Sequence, residues 1–539
     1  MTREYDIVFV GSGINSLAGA ALLAKAGKRC LVLERNDWLG GAIKTEEITV
    51  PGFLHEVFAS WHPLFMGSAA YAELKDDLHD HGLEYLNTDL PTGSLFPDGS
   101  SIFLTTSHEE NVAELERAAV GDGEAWDRAF QAFMPNADLA FGVLTTELWS
   151  RAGFGLALRA YRRLGRRGLL EFSGTVLQSC RDWVTETYSS ERVHGLLAPW
   201  VLHTGLGPDA AMSGFMTQVI AVAIELGGMP VPRGGGGELV EALAGIVRDA
   251  GGVLEADRDV EQILVADGRV VGVRVGERDI HAQTVVANVT PTQLYGRLLA
   301  EAPLPTAAAE SAGRFRYGRG EMKMHFALDE LPRWDGDERL ARTAIVHVTP
   351  GLDGVSRAVN EAERGLLPAE ATIVVGQPLA VDPSRAPEGK WILWIQLQEL
   401  PSRPKGDAAG EIDVGDGTWT DALRERYADR IQARLTRHIT NLESALLQRV
   451  TLSPADIERA NVNMVGGDIY SGSCAVDQNL IWRPRPSLPG HRTPVAGLYH
   501  IGASTHPGPG LGAGSGTLVA KDILRNRRGR ALVTRIAGR

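Results

Sequence analysis

The stretch from Asp6 to Gly41 constrains the fold more than any other part of the chain. Asp6 to Val10 reads as a short buried strand, Gly11-Ser12-Gly13-Ile14-Asn15-Ser16 as a tight turn, and Leu17 to Ala26 as a helix of small residues. A second strand, Cys30 to Leu33, ends on Glu34. Each part of this βαβ unit suits a dinucleotide. Gly11 permits the turn, and Gly13 lets the backbone approach a pyrophosphate. The free N–H groups of the helix N-terminus, where Ile14, Asn15 and Ser16 form the first turn, favour an anion. Glu34 lies about 20 residues beyond the turn, where a carboxylate can accept the hydroxyls of an adenosine ribose. Ser16 stands in place of the third glycine of the usual fingerprint and is small enough to keep helix and strand close.

The segment that follows, Arg35-Asn36-Asp37-Trp38-Leu39-Gly40-Gly41, resembles the R-x(4)-GG element of FAD enzymes of the glutathione-reductase-like superfamily. In those enzymes the paired glycines let the chain pass close to the flavin diphosphate and ribityl. The resemblance therefore assigns Arg35, Gly40, Gly41 and Ala42 to the cofactor. A second signal lies near the C-terminus. Gly497 to Ile501 reads as a strand, Gly502 to Gly510 as a glycine-rich bend, and a helix begins near Leu511 to Gly516. A helix N-terminus at such a bend is another anion site, suited to the edge of a flavin that becomes negative on reduction. Gly502, Ala503, Gly510, Leu511 and Gly512 are the candidate contacts; an ordinary βα connection is the alternative.

The chain of 539 residues exceeds a single core, so two or more domains are expected. The formal net charge of −13 argues against a nucleic-acid binder. Cys30, Cys180 and Cys474 are far apart and form no C-x-x-C, which excludes a disulfide scaffold, a zinc ribbon and a redox dithiol. No histidine shows H-x-x-x-H spacing with a helpful acid, and no G-x-S-x-G elbow occurs, so metal and serine-hydrolase chemistry are not expected. No run of 18 apolar residues is present, and a strand by residue 5 leaves no room for a cleaved signal peptide. A cytoplasmic protein is expected.

Residues 70–225 read as helical and amphipathic. Within them Arg159, Arg162, Arg163, Arg166 and Arg167 interleave with Leu156, Leu158, Tyr161 and Leu164. Such a helix either lies on an anionic membrane surface or presents a solvated face. The tetraglycine Gly234 to Gly237 precedes a helix, Leu239 to Ala250, and lacks the lysine of a P-loop; it reads as a close-approach loop, at the cofactor or elsewhere. Strands are predicted at Val253 to Glu255, Val260 to Val265, Val270 to Val275 and Thr284 to Ala287, with an Asp267-Gly268 hairpin turn. Further strands are predicted at Glu321 to Leu328, Ala344 to Val348, Thr372 to Val375 and Trp391 to Leu397, and a long helix from Asp421 to about Gln448.

With both glycine motifs in view, the chain resembles the phytoene-dehydrogenase-related flavoproteins over nearly its whole length. The nearest subgroup is that named for pyridine nucleotide-disulfide oxidoreductase domain-containing protein 2. The middle elements that carry the resemblance include Val286-Ala287-Asn288 before Pro291, Lys323 to Leu328 before Leu331-Pro332, Asp382-Pro383, and Gly466-Gly467-Asp468 with Arg483-Pro484. Ala42 departs from the family, many of whose members carry arginine there, which leaves Lys44 or backbone groups to face the diphosphate.

The resemblance implies an α/β architecture. A Rossmann-type FAD domain would be assembled from residues 1–75, 226–296 and 465–530, and a discontinuous α+β substrate domain from 76–225 and 297–464, with a basic tail at 531–539. It places Val260 at the cofactor. It implies noncovalent FAD and a small hydrophobic substrate that loses hydride to the flavin, with carbon–carbon desaturation as the expected reaction. Amine-type oxidation by O2, redox-neutral isomerisation and a non-catalytic FAD protein are the alternatives. Two catalytic candidates follow. His62, in Phe58-Ala59-Ser60-Trp61-His62-Pro63, falls where relatives bring the chain back past the flavin. Lys323 matches the lysine that flavin amine oxidases hold near N5. Alternation places Glu321, Lys323 and His325 on one strand face, which meets either the flavin or solvent. Arg525, Arg527, Arg528 and Arg530 add to the basic surface.

Overall fold

Two seven-stranded sheets are each assembled from distant parts of the chain. The structure is a computed structural model describing the backbone of residues 4–485 and 488–537, without the side chains of 307, 309, 311, 488 and 526–537. In the first sheet Val253–Glu255, Cys30–Leu33, Tyr5–Val10, Arg278–Asn288 and Leu498–Ile501 lie parallel. Arg278–Asn288 serves twice, because its first half also closes an antiparallel meander with Gln262–Ala266 and Arg269–Val275. Asp267 and Gly268 both have positive φ, as the two-residue hairpin turn requires. The helices Ile14–Lys25, Gly236–Asp249 and Gly514–Ala537 cover one face of this sheet.

The second sheet runs Leu446–Leu452, Gly320–Leu328, Trp391–Leu400, Ile373–Gly376, Ile345–Val348, Thr92–Leu95 and Ser101–Leu104. One face, with Met322, Met324, Phe326, Ile395 and Val375, packs on the helix Asp421–Leu435 through Tyr427 and Ile431. The opposite face is buried too, but it is polar.

Two expectations are corrected. The predicted helix to Gln448 stops at Leu435; after a turn, Leu446–Leu452 becomes an edge strand on Gly320–Leu328. Pairing with a sheet edge overrides the helical reading there. The stretch 70–225 is not wholly helical, since Thr92–Leu95 and Ser101–Leu104 form a hairpin turned at Asp98-Gly99. Within it a 27-residue helix, Arg151–Leu177, breaks its helical backbone at Gly165.

The glycine-rich loop before Gly236–Asp249 is filled from within the protein. Gly236 N–H donates to Glu56 Oε1 at 2.7 Å, and Gly234 N–H to Asp382 Oδ2 at 2.8 Å. Arg385, fully buried, donates to Glu56 Oε1 at 2.6 Å, to Asp382 Oδ2 at 3.0 Å and to the Pro232 carbonyl at 2.9 Å. The loop is thus an anion cradle whose anions are side chains. Replacing Arg385 with methionine leaves Glu56 and Asp382 buried without a cation. We expect Arg385→Met to cost about 3–5 kcal/mol of stability in denaturant titration, and Glu56→Gln added to it to recover part of that loss.

Burial also holds seven imidazoles neutral: His55, His500 and His506 are lowered to about 4, His62 and His203 to about 3, and His325 and His347 well below the ordinary value. Above an unfolded value of about 6.5 both states are neutral and stability is unaffected; below it the unfolded chain takes protons the folded chain refuses. Each such group therefore removes about 1.4 kcal/mol at one pH unit below that value. Glu321 and Glu399, raised to about 7 by burial, act in the opposite sense between pH 7 and 4.5. Glu56 and Asp468, also raised by burial, add to them, but the seven histidines outnumber these four carboxyls, so Tm measured by calorimetry should hold from pH 8 to 7 and fall between pH 6.5 and 5.

Candidate active site

A cleft runs along the carboxyl ends of the parallel strands, where the chain leaves Val10, Leu33, Asn288 and Ile501 for its loops. Its walls include Gly11, Gly13, Ile14, Asn15, Glu34, Arg35, Gly40, Gly41, Ala42, Val260, Gly502, Ala503, Gly510, Leu511 and Gly512. These are all the cofactor residues expected from sequence except Ser16. Ser16 is fully buried behind the turn, where its hydroxyl lies 3.1 Å from Asn288 Nδ2.

Two helices present their N-termini here. Asn15 Oδ1 accepts from the Ser515 hydroxyl at 2.8 Å, and Ser515 Oγ in turn accepts from Gly502 N–H at 2.9 Å. The helices meet so closely that a Cβ on Gly516 would fall 1.8 Å from the Asn15 carbonyl. Asn288 closes the remaining side, donating to the Gly13 carbonyl at 3.3 Å. Leu511 and Ala513 hold positive φ beside the cleft, a conformation that costs a non-glycine residue energy. Buried Arg483 fixes the bend before them by donating to the carbonyls of Ala503, Tyr470, Ser473 and Gln478.

Glu34 is buried and engaged. Its Oε2 accepts from the backbone N–H and hydroxyl of Ser12 at 2.8 and 2.7 Å, and its Oε1 from Asn36 N–H at 3.0 Å. Ser12 Oγ also accepts from Gly40 N–H at 3.1 Å, so one serine joins the first glycine turn, the acid and the glycine pair. Sequence reasoning missed Ser12, Ser515 and Asn288 as organisers. Small polar residues beside glycine turns were the available signal.

The two catalytic candidates lie elsewhere. His62 is fully buried, with Nδ1 3.1 Å from the Tyr85 hydroxyl, and does not line the cleft. Burial and then Arg385 lower it to about 3, so it offers no proton at neutral pH. Lys323 is also absent from the cleft walls, and its strand does not face solvent: all nine residues of Gly320–Leu328 are buried. Its Nζ lies 3.7 Å from Glu321 Oε2 and 4.0 Å from the centre of the Trp394 ring. Burial raises Glu321 to about 7 and lowers Lys323 to about 8. Among the described residues, no group of three or more histidine, cysteine or acidic side chains could hold a metal.

The residues fit FAD. Two converging helix N-termini suit the diphosphate, the Glu34 carboxylate keeps acceptor capacity at the cleft, and the strained bend at Gly510 to Ala513 offers backbone N–H groups.

Comparison with known proteins agrees. The sequence profile of the family described as flavin containing amine oxidoreductase matches residues 17–390. The chain is 26% identical to pyridine nucleotide-disulfide oxidoreductase domain-containing protein 2 of Rattus norvegicus, over 97% of this chain and 94% of that one. It is 25% identical to one of the chains of limonene dehydrogenase from Castellaniella defragrans, over 97% and 95%. It is 26% identical to phytoene dehydrogenase of Streptomyces griseus, over 97% and 96%. Among solved structures, cyclohexylamine oxidase from Brevibacterium oxydans shares the fold at a TM-score of 0.56 and 16% identity, over 96% of this chain and 99% of that one. The match covers more than half of the chain, so this protein belongs to the flavin containing amine oxidoreductase family and is an FAD-dependent oxidoreductase.

Proposed function

We propose that the protein dehydrogenates a hydrophobic small molecule, with carbon–carbon desaturation as its reaction and FAD held noncovalently. The composition of the cleft carries this reading. Its titratable residues gather at the nucleotide end, where Arg258 N–H donates to the Glu34 carbonyl and Arg297 pairs with Asp259, or sit at Lys521 on the C-terminal helix. The rest is largely apolar, with Leu64, Phe141, Leu144, Ile469 and Leu511. No cysteine lines it, which leaves no thiol for a covalent flavin link. When bound, the flavin supplies a two-electron acceptor for a hydride from carbon. The chain's own part is to hold the dinucleotide through Glu34, Gly11, Gly13 and Asn15, to keep water from the apolar end, and to orient the carbon that reacts. The names of the limonene and phytoene dehydrogenases support an apolar substrate class.

Purified protein should be yellow, release its colour on acid precipitation, and bleach anaerobically with an apolar, dehydrogenatable substrate. Bleaching by an amine with peroxide formation in air would instead select the oxidase reading. No bleaching by any apolar compound would leave isomerisation or a non-catalytic role. Glu34→Ala should weaken FAD retention at least tenfold, about 1.4 kcal/mol; full occupancy after desalting would reject the role given to Glu34.

The helix Arg151–Leu177 supports docking on anionic lipid. It buries only Gly153 and Leu156. Phe154 and Leu170 are 72% and 76% exposed, and Trp149 just before it is 61% exposed. Six arginines stand along it against Glu171 alone, in a protein of net charge −13. Thr145 lines the cleft and also a shallow pocket with Ser150 and Ala152, so the helix starts at the cleft's rim. Arg527, Arg528, Arg530 and the tail lie outside the described side chains. Among the described residues no helix is long and apolar enough to cross a membrane. At roughly 1 kcal/mol per basic residue near such a surface, the protein should float with phosphatidylglycerol-containing vesicles at low salt and be released by high salt. Phe154→Ser with Leu170→Ser should abolish flotation. Absence of flotation at low salt would mean that this face is only solvated.

A further inference from the structure

Six hydroxyl side chains line the cofactor cleft: Ser68, Thr145, Thr290, Ser471, Ser504 and Thr517. Five of them are engaged within the protein. Ser68 accepts from Tyr71 N–H at 3.1 Å, and Thr145 and Thr517 donate to the carbonyls of Phe141 and Ala513. Ser504 donates to the Val289 carbonyl at 3.2 Å, and Thr290 meets the Thr292 hydroxyl at 3.3 Å. Ser471 is the exception. Among the described residues its hydroxyl has no hydrogen-bond partner.

The loop around Ser471 is built to keep that side chain at the cleft. Ser471 has a φ of 51°, a left-handed conformation that costs a non-glycine residue energy. Its neighbours are locked by Asp468, which is fully buried. Asp468 Oδ1 accepts from Tyr470 N–H at 2.9 Å, and Oδ2 accepts from Gly472 N–H at 2.9 Å and Gly318 N–H at 2.7 Å. Ser471 N–H donates to the Asp468 carbonyl at 3.1 Å. Arg483 Nη2 donates to the Tyr470 carbonyl at 3.2 Å and to the Ala503 carbonyl at 2.7 Å, which pins the loop to the glycine-rich bend of the cleft. Ile469 packs in the same apolar cluster as Ala42, beside the glycine pair. A Cβ at Gly472 would lie 2.3 Å from Phe315, so the loop has no room to relax on that side.

Strain of this kind persists only where surrounding bonds enforce it, and it collects at functional sites. Glycine at position 471 would remove the strain, yet the chain carries a side chain there whose one polar atom is spare. On the apolar-substrate reading above, the substrate offers that hydroxyl nothing. The flavin ring does, because its nitrogens and carbonyl oxygens accept hydrogen bonds. We infer that the Ser471 hydroxyl donates to the flavin ring and favours the reduced cofactor. A hydride brings two electrons to the ring and raises the charge on its acceptor atoms. A donor fixed beside them therefore stabilises the reduced state more than the oxidised one.

The test uses FAD-loaded protein carrying Ser471→Ala or Ser471→Gly. It reads FAD content after desalting, the flavin absorption spectrum, the midpoint potential by dye equilibration, and Tm. Both variants should keep FAD, shift the flavin bands and lower the potential by about 30 mV, which is a tenfold change for a two-electron couple. Ser471→Gly should also melt above Ser471→Ala, since only glycine relieves the left-handed backbone. An unchanged potential and spectrum would overturn the contact, whether or not Tm moves, because a purely structural role changes Tm alone. Loss of FAD from both variants would overturn it too. No substrate enters these measurements. Failure of every apolar compound to bleach the flavin would therefore reject the dehydrogenase reading, while the potential and spectrum still decide the role of Ser471.

Discussion

The buried contact of Arg385 with Glu56 and Asp382 is the constraint on which the rest depends. Asp382 and Arg385 share one segment, Glu56 lies more than three hundred residues away, and the three meet at the N-terminus of Gly236–Asp249. Charges this deep are tolerable only when each is bonded on all sides. That condition fixes the loop Pro232 to Gly236, where positive φ at Gly234 and Gly235 turns the N–H groups of Gly234 and Gly236 onto the carboxylates. A Cβ at Gly235 would lie 2.5 Å from Thr45 and one at Gly236 2.7 Å from Ile43. The segment 43–56, in which Thr45–Glu46 pairs antiparallel with His55–Glu56, is therefore held against a helix of the nucleotide sheet at one end. Its continuation, through the Trp394 Nε1 bond to the Phe58 carbonyl at 3.1 Å, is held against the second sheet at the other. This segment thus ties the two sheets together.

Within that frame the cleft is shaped by backbone proximity. Gly13, Gly41 and Gly516 each stand where a Cβ would meet another segment within about the length of a hydrogen bond or less. Small residues allow the turns to crowd together, and crowding lines up backbone N–H groups that a diphosphate needs. Ser12 and Ser515 do a related job: each hydroxyl accepts from a backbone N–H, of Gly40 or Gly502, and donates to a side-chain oxygen, of Glu34 or Asn15.

The nucleotide half was legible because its chemistry is local. Gly11, Gly13, Glu34, Gly40 and Gly41 lie within one βαβ unit, and the spacing of such residues follows from the geometry of strand, turn and helix. The second half was not, because its residues have meaning only through distant partners. Gly234 to Gly237 has the look of a ligand loop, and its anions turn out to be Glu56 and Asp382. Leu446–Leu452 carries residues that suit a helix, and a sheet edge decides its conformation. Alternation in Glu321 to Leu328 separated the two faces correctly, with Lys323 and His325 on one and Met324 and Phe326 on the other. It could not say that the polar face is buried, since that depends on residues 55–62 folding over it.

That buried polar face explains an apparent inconsistency in the design. The opposite face of the same sheet is packed with methionine, leucine, isoleucine and tyrosine, and a similar lining on both sides would make the more stable protein. The chain instead keeps Lys323, Glu321 and neutral histidines in a buried layer, at a cost in desolvation. Stability elsewhere must offset this, and the ion-bonded loop at Arg385 lies directly behind the layer, within electrostatic reach of His55 and His62. Its positive charge helps to keep both rings neutral. A neutral imidazole is both donor and acceptor, whereas a protonated one only donates. The contact at Arg385 therefore adds to the burial that keeps His55 and His62 as both donors and acceptors.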